Sequence, residues 1–214
     1  MDERRRDHAP EAEDQLRLGI KAEIRKRRRG VRGAMPHEAR EARSAAITAR
    51  VLELPEWQEA RTVLAFVSMR TEVQTAGLVA AARAAGKRVA TTRMSPSYDE
   101  LEVREWSADV ELEESGMMFL QPPKDAPRVD EREVDLVLVP ALAVDGRGHR
   151  IGYGKGFYDR LLPRLTRACR VAVLFEFELV AEVPNRPGDE PVDVVVTDAD
   201  VLRTGARAVS EPAF

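Results

Sequence analysis

Apolar residues along this chain recur in two spacings, and each predicts a different element. From Asp14 to Arg32 they fall at Leu16, Leu18, Ile20 and Ile24, a patchy apolar side on an otherwise basic segment that reads as a helix. A second helix is predicted over "PHEAREARSAAITARVLEL", where Ala42, Ala45, Ala46, Ala49 and Leu52 keep helical spacing and Pro36 suits the first turn. The spacing then changes. "TVLAFVSM" reads as a strand, "TEVQTAGLVAAARAAGK" as a helix ended by Gly86, and "RVATTRM" as another strand. "ELEVREW" alternates with a period of two, as a strand with one wet face does. Residues 107–133 read as loop, broken by "QPPKDAP". "DLVLVP" is a continuous apolar run of the kind found in buried parallel strands, and "RVAVLF" and "VDVVVTD" follow it after a short helix ending near Pro163. Strands alternating with helices predict an α/β fold with a mostly parallel central sheet flanked by helices.

Composition narrows this picture. A length of 214 residues suits one core, so residues 15–214 are expected to form a single α/β domain. Residues 1–14 are charged and rich in Pro and Ala, and are expected to be disordered. A net charge of -3 argues against nucleic-acid binding by the chain as a whole. The single cysteine, Cys169, excludes an internal disulfide and a cysteine-based zinc site, and it reads as a small core hydrophobe. The cysteine usage suits a reducing cytoplasm. The first residues lack the apolar stretch of a signal peptide, and Pro140 interrupts the longest apolar run, Leu136 to Val144, so no membrane association is expected.

The candidate chemistry lies in "VDGRGHRIGYGKGFYDRLL", where five of the 13 glycines fall between Gly146 and Gly156. Glycines let backbone N–H groups approach an anion, and a helix starting at the loop's end adds its positive pole. With Lys155 among them, this is the chemistry of a phosphate cradle. It is neither a Walker A motif, since Gly156 and not Ser or Thr follows the lysine, nor a dinucleotide fingerprint, whose spacing differs. Asp159 just beyond the loop either complements the helix dipole or holds Mg²⁺ together with phosphate oxygens, and Asp189 and Asp193 are the available second carboxylates. His149 reads as a solvated histidine.

The stretch "DLVLVPALAVDGRGHRIGYGKGFYDRLL" resembles the signature of the 5-formyltetrahydrofolate cyclo-ligase family, and the resemblance runs from about Ile20 to Leu202. "KAEIRKRRR", "AFVSMRTEVQT" and "VPNRPGDEPVDVVVTD" are similar to the family's opening helix, its Glu-containing turn and its closing segment. The resemblance implies an enzyme that uses ATP and Mg²⁺ to close 5-formyltetrahydrofolate, with or without a polyglutamate tail, into 5,10-methenyltetrahydrofolate. It also implies a fold like that of ribose-5-phosphate isomerase and the CoA transferases. Lys155, Arg150 and Tyr158 are then expected to be catalytic. Lys21, Arg25, Arg150, Gly152, Tyr153, Gly154, Lys155, Gly156, Phe157 and Tyr158 match the ATP contacts. Val67, Glu72 and Tyr153 through Phe157 match the folate contacts, and Asp159 and Asp189 the metal ligands. The chain departs from the family pattern at Ala141, Val144, Gln121 and Gly188. The enzyme is expected to be a monomer. Two other readings stay open on sequence alone: a relative of the same fold that lacks this activity or uses another folate-like substrate, and an RNA-binding module built on the basic first helix.

Overall fold

The computed structural model describes residues 8–116 and 119–206. A seven-stranded sheet runs in the order β12-β11-β9-β6-β1-β2-β3. Its strands are β1 (Thr62–Leu64), β2 (Arg88–Met94), β3 (Leu101–Glu105), β6 (Leu136–Pro140), β9 (Cys169–Val173), β11 (Val194–Val196) and β12 (Val201–Arg203). The central pairs β2–β1, β1–β6, β6–β9 and β9–β11 are parallel, and β3 and β12 close the edges antiparallel. A two-stranded ribbon, β4 (Glu113–Glu114) and β5 (Leu120–Gln121), lies within the stretch read as loop. A three-stranded sheet combines β7 (Ala143–Asp145), β8 (Arg150–Ile151) and β10 (Leu179–Val180) in the order β10-β7-β8.

The apolar runs of the central strands are continuous because both faces of the sheet are covered. Val63, Leu136, Leu138, Val171 and Val194 point to one core, and Leu64, Val137, Val139, Ala172 and Val195 to the other. Helices α2 (His37–Glu53), α3 (Pro55–Glu59) and α4 (Ala76–Ala84) cover the first face through Ile47, Val51, Trp57, Leu78 and Val79. Helix α5 (Phe157–Leu161) and the turns after it cover the second with Leu161, Leu162 and Leu165. Cys169, half-buried at the start of β9, packs against the first core. Among the described residues no helix is long and apolar enough to cross a membrane.

Helix α1 (His8–Gly33) differs from the sequence-based expectation in two ways. It begins at His8, so residues 8–14, expected to be disordered, form its first turns; residues 1–7 lie outside the described residues. Asp14 is tied to Arg186 by an ion pair at 2.7 Å. Its inward face is also cationic. Lys21 and Arg32 are buried and Arg25 and Arg28 half-buried, while Leu16, Leu18, Ile20 and Val31 are exposed. Ile24 is its apolar contact with the small sheet, beside Ala143, Ile151 and Val183.

Three element boundaries also moved. Pro36 is the N-cap of α2 and lies before its first turn. Helix α4 starts only at Ala76, because residues 72–75 are held in a turn where Thr75 Oγ1 donates to the Phe66 carbonyl at 2.7 Å and Ser68 Oγ accepts from Thr75 N at 2.8 Å. The strand read over "TVLAFVSM" is regular only to Leu64, leaving the segment after it free to turn across the carboxyl edge of the sheet.

Candidate active site

The chain leaves β1 toward β2 on one side and leaves β6 toward β9 on the other. The carboxyl ends of β1 and β6 therefore flank a point where the connections diverge, the usual ligand crevice of an open α/β sheet. Val67 and Glu72 come from the segment after β1, and the glycine-rich segment follows β6.

That segment divides in two. Its first part is the β7–β8 hairpin, organised by the fully buried Asp145. Asp145 Oδ1 accepts from Arg147 N at 2.9 Å and His149 N at 3.0 Å, and Oδ2 accepts from Val183 N at 3.0 Å. Gly148 belongs to this turn: it has φ 84°, and a Cβ there would sit 2.4 Å from the Val192 carbonyl oxygen. His149, expected to be solvated, is 23% exposed, 3.5 Å from Asp145 and 3.1 Å from Asn185 Nδ2. Gly146 and Gly148 therefore shape the hairpin, and residues 152–156 form the cradle. In the cradle Gly154 has φ 99°, and a Cβ on it would meet the Arg25 guanidinium carbon at 3.3 Å. Helix α5, which follows, has five residues, so the positive helix pole expected from sequence is small and side-chain cations carry the charge.

Those cations converge on the loop from α1 and β8. Arg25 Nε donates to the Gly152 carbonyl at 2.8 Å. Arg29 lies 5.3 Å from the Tyr153 ring centroid. Arg150, 7% exposed, donates from Nη2 to Asp159 Oδ1 at 2.7 Å, and its Nε is buried without a partner. Burial lowers the Arg150 guanidinium from its ordinary value, with Asp159 acting against this, and it remains a cation at any working pH. Lys21, buried, pairs with Asp189. Lys155 is exposed, and its ammonium makes no hydrogen bond or ion pair among the described residues.

The two candidate metal carboxylates meet here. The Glu190 N–H, one residue beyond Asp189, donates to Asp159 Oδ1 at 3.3 Å. Asp189 Oδ2 also accepts from Arg186 N at 2.7 Å, in a turn that Gly188 enters with φ 88°. Among the described residues no cluster of three His, Cys, Asp or Glu side chains stands ready as a preformed metal cage. Two carboxylates completed by phosphate oxygens and water are nonetheless a donor set that suits Mg²⁺. Asp193 is not part of the site: its Oδ2 accepts from Arg170 N at 2.8 Å, bracing β11 against β9.

On the other side Glu72 is buried, and its Oε2 accepts from Met69 N at 2.8 Å. The Tyr153 hydroxyl lies near its carboxyl. Burial pushes Glu72 above the usual carboxylate range, and the Met69 hydrogen bond, the Tyr153 hydroxyl and the charge of Arg32 act against it. Tyr158 has a buried hydroxyl without a partner, and burial raises it far above an ordinary phenol, so it is a proton donor and not a base. Val67 is half-buried beside this wall, and Phe157 is half-buried with the Arg160 guanidinium 5.3 Å from its ring centroid. A cavity of about 710 Å³ is lined by Gly33, Met35, Arg40, Ser68, Met69 and Gln74, and none of the sequence-predicted site residues lines it.

The structure thus brings the ATP-side, metal and Glu72 candidates to one sheet edge. Sequence reading missed Arg32 and Glu178, which join the same network. A signal existed: Lys21, Arg25, Arg28 and Arg32 recur at i, i+4, i+7 and i+11, one face of a helix. An RNA-binding face would turn these charges outward; the fold turns them in, leaving Lys26, Arg27 and Arg29 exposed. At the departures from the pattern, Gln121 is buried with Oε1 accepting from Met94 N at 3.1 Å, and Val144 fills the second core.

Comparison with known proteins bears on this geometry. Residues 17–198 match the model of the 5-formyltetrahydrofolate cyclo-ligase family. The 5-formyltetrahydrofolate cyclo-ligase of Escherichia coli K12 is 31% identical over 187 residues, covering 83% of this chain and 98% of that protein. The NMR structure of Aquifex aeolicus 5,10-methenyltetrahydrofolate synthetase superposes with a TM-score of 0.77 at 28% identity, covering 86% of this chain and 93% of that one. A Mycoplasma pneumoniae 5,10-methenyltetrahydrofolate synthetase shares the fold, with a TM-score of 0.68 at 18% identity.

Proposed function

The chain belongs to the 5-formyltetrahydrofolate cyclo-ligase family and carries its ATP-dependent ligase activity, and on that premise we propose how its residues divide the reaction. The formyl oxygen of 5-formyltetrahydrofolate attacks the γ-phosphorus of ATP, and ADP leaves. The neighbouring N10 closes on the activated formyl carbon and gives up its proton, and phosphate departs to leave 5,10-methenyltetrahydrofolate. Neither step needs a nucleophile from the protein. Its task is to hold the two substrates together and stabilise charge on the transferring phosphoryl group.

Lys21, Arg25, Arg150 and the backbone of Gly152 through Tyr158 hold the ATP phosphates. Lys155 adds its charge as the γ-phosphoryl group transfers; its solvent-exposed ammonium, uncommitted among the described residues, supports this role. Mg²⁺ would be held by Asp159 and Asp189 and would supply neutralisation of phosphate charge. Arg150 pairs with Asp159 and Lys21 with Asp189. Val67, Glu72 and Tyr153 through Phe157 form the folate side, with Glu72 accepting hydrogen bonds from N–H groups of the pterin. Tyr158, protonated, acts as a donor to the reacting oxygens. The chain is proposed to act as a monomer. The reducing cytoplasm is the proposed compartment, and the substrate is taken with or without a polyglutamate tail.

The observation that carries this reading is the convergence of the glycine cradle, two carboxylates and the buried acceptor Glu72 at the carboxyl edge between β1 and β6. The test mixes the purified chain with 5-formyltetrahydrofolate, Mg²⁺ and ATP and follows the methenyl absorbance. The chromophore should grow only with all three present. A chain that binds ATP but forms no chromophore would be a relative of the same fold that lacks the activity.

A further inference from the structure

Two buried groups have no part in the roles above: Arg32 in the last turn of α1, and Glu178 in the short turn before β10. Arg32 is 2% exposed and Glu178 0%. Arg32 Nε donates to Glu178 Oε1 at 2.7 Å, and Nη2 lies 2.6 Å from the same oxygen. Nη2 also donates to the Ala141 carbonyl at 2.6 Å, and Nη1 to the Tyr153 hydroxyl at 3.1 Å. The Tyr153 hydroxyl in turn lies near Glu72. One guanidinium therefore joins α1, the end of β6, the glycine loop and the segment after β1.

We propose that Arg32, held by Glu178, is a positioning residue for the folate side: it fixes the Tyr153 hydroxyl on the Glu72 side of the glycine loop. The proposal rests on the assignment of Glu72 to the pterin. A planar fork reaching Glu178, Ala141 and Tyr153 at once is geometry that a lysine lacks. Stability alone is a poor reason for the pair, since apolar side chains of like volume stabilise a core at least as well. Burial pushes the Glu178 carboxyl up to about 7, and its donors, two from Arg32 on Oε1 and the Phe175 N–H at 3.0 Å on Oε2, act against that.

The groups that face Glu72 are Arg32, Tyr153 and the Met69 N–H, with Tyr158 also within its field and Glu178 behind Arg32. Burial already pushes Glu72 upward, and Arg32 opposes that. Without Arg32 the Glu72 pKa rises further. A protonated Glu72 presents a hydrogen where the pterin presents its own, so folate affinity falls at low pH and returns as pH rises and Glu72 ionises.

The experiment uses Arg32→Gln combined with Glu178→Gln, which avoids leaving one buried charge alone. The Glu72 carboxyl is titrated by ¹³C NMR in the unliganded protein, and KM for 5-formyltetrahydrofolate is followed from about pH 6 to about pH 9. Glu72 should titrate at higher pH than in the parent chain, and KM for folate should rise about tenfold at the acid end. That difference should shrink toward pH 9, with KM for ATP unchanged. An unmoved Glu72 titration, or a KM change that is flat with pH, overturns the proposal. Tyr153→Phe removes the link while keeping the ion pair, and should move the Glu72 titration in the same direction; should the double variant fail to fold, this variant decides. Glu72→Gln is the control. If it leaves folate affinity intact, the assignment of Glu72 has failed, and the titration still judges Arg32 by itself.

Discussion

Helices α1 and α2 follow one another in the chain and dock by opposite rules. Helix α2 buries Ile47 and Val51, both 0% exposed, in the main core, and its one buried charge, Arg40, donates to the Met35 carbonyl at 2.9 Å. Helix α1 buries Lys21 and Arg32, and exposes Leu16 at 64% and Val31 at 44%. Its contacts are ion pairs and hydrogen bonds to Asp189, Gly152, Glu178, Ala141 and Tyr153, with Ile24 as the apolar exception. The difference separates two reasons for a helix to sit where it does. Burial of apolar area stabilises α2 on the sheet without regard to any ligand. Docking through cations places α1 where phosphate can compete for the same charges, so its attachment and the chemistry of the site share the same side chains.

Substitutions on the two helices separate these roles, and the largest effect belongs to α2. Ile47→Ala removes a fully buried side chain and should lower unfolding free energy by about 2–5 kcal/mol in urea titration. Activity per folded molecule should be unchanged; a matching loss of kcat would place α2 in the catalytic machinery. Lys155→Ala should reverse that pattern, cutting kcat by about 10²-fold with stability within about 0.5 kcal/mol of the parent. Near-normal turnover would remove Lys155 from phosphoryl transfer. Lys21→Ala tests α1 itself. Losing one phosphate contact should raise KM for ATP about tenfold, near the 1.4 kcal/mol expected of a charge-assisted hydrogen bond, with KM for folate nearly constant. An equal rise in both would mean that Lys21 only props up the helix. For Asp159→Asn, the Mg²⁺ concentration giving half-maximal rate should rise about tenfold. An unmoved Mg²⁺ titration with a lowered melting temperature would make Asp159 a partner of Arg150 alone. The smallest effect is expected of Leu16→Ala on the outer side of α1, within about 0.5 kcal/mol of the parent stability. A larger loss would reveal a surface that something covers.

The same contrast explains how much could be read before the fold was known. Strands β2, β6 and β9 were legible because their side chains face a core. Helix α2 was read instead from Ala42, Ala45, Ala46, Ala49 and Leu52, which lie exposed or half-buried, while its buried side is Arg40, Ser44, Ile47 and Val51. Small alanines at helical spacing mark a face less surely than the branched side chains that fill the core. The glycine cradle, Lys155 and Asp159 were legible because residue types of that chemistry are rare in such density. The family resemblance placed Val67 and Glu72 beside them, and periodicity alone does not single out either residue. Strands β7, β8 and β10 were not legible, since two or three residues carry no period, and the hairpin's glycines looked like part of one long loop.

What the sequence by itself determined is the class of fold and the family, together with the candidate phosphate loop, because local pattern and motif are written in neighbouring residues. Which way α1 faces was decided only by the tertiary structure. Its exposed aliphatics and inward cations invert the usual rule, and the partners that make this favourable, Asp189 and Glu178, lie more than a hundred residues away. A buried charge is tolerated only where a specific opposite charge meets it. No local pattern records that meeting, so only the folded chain shows that part of the basic run faces the candidate site.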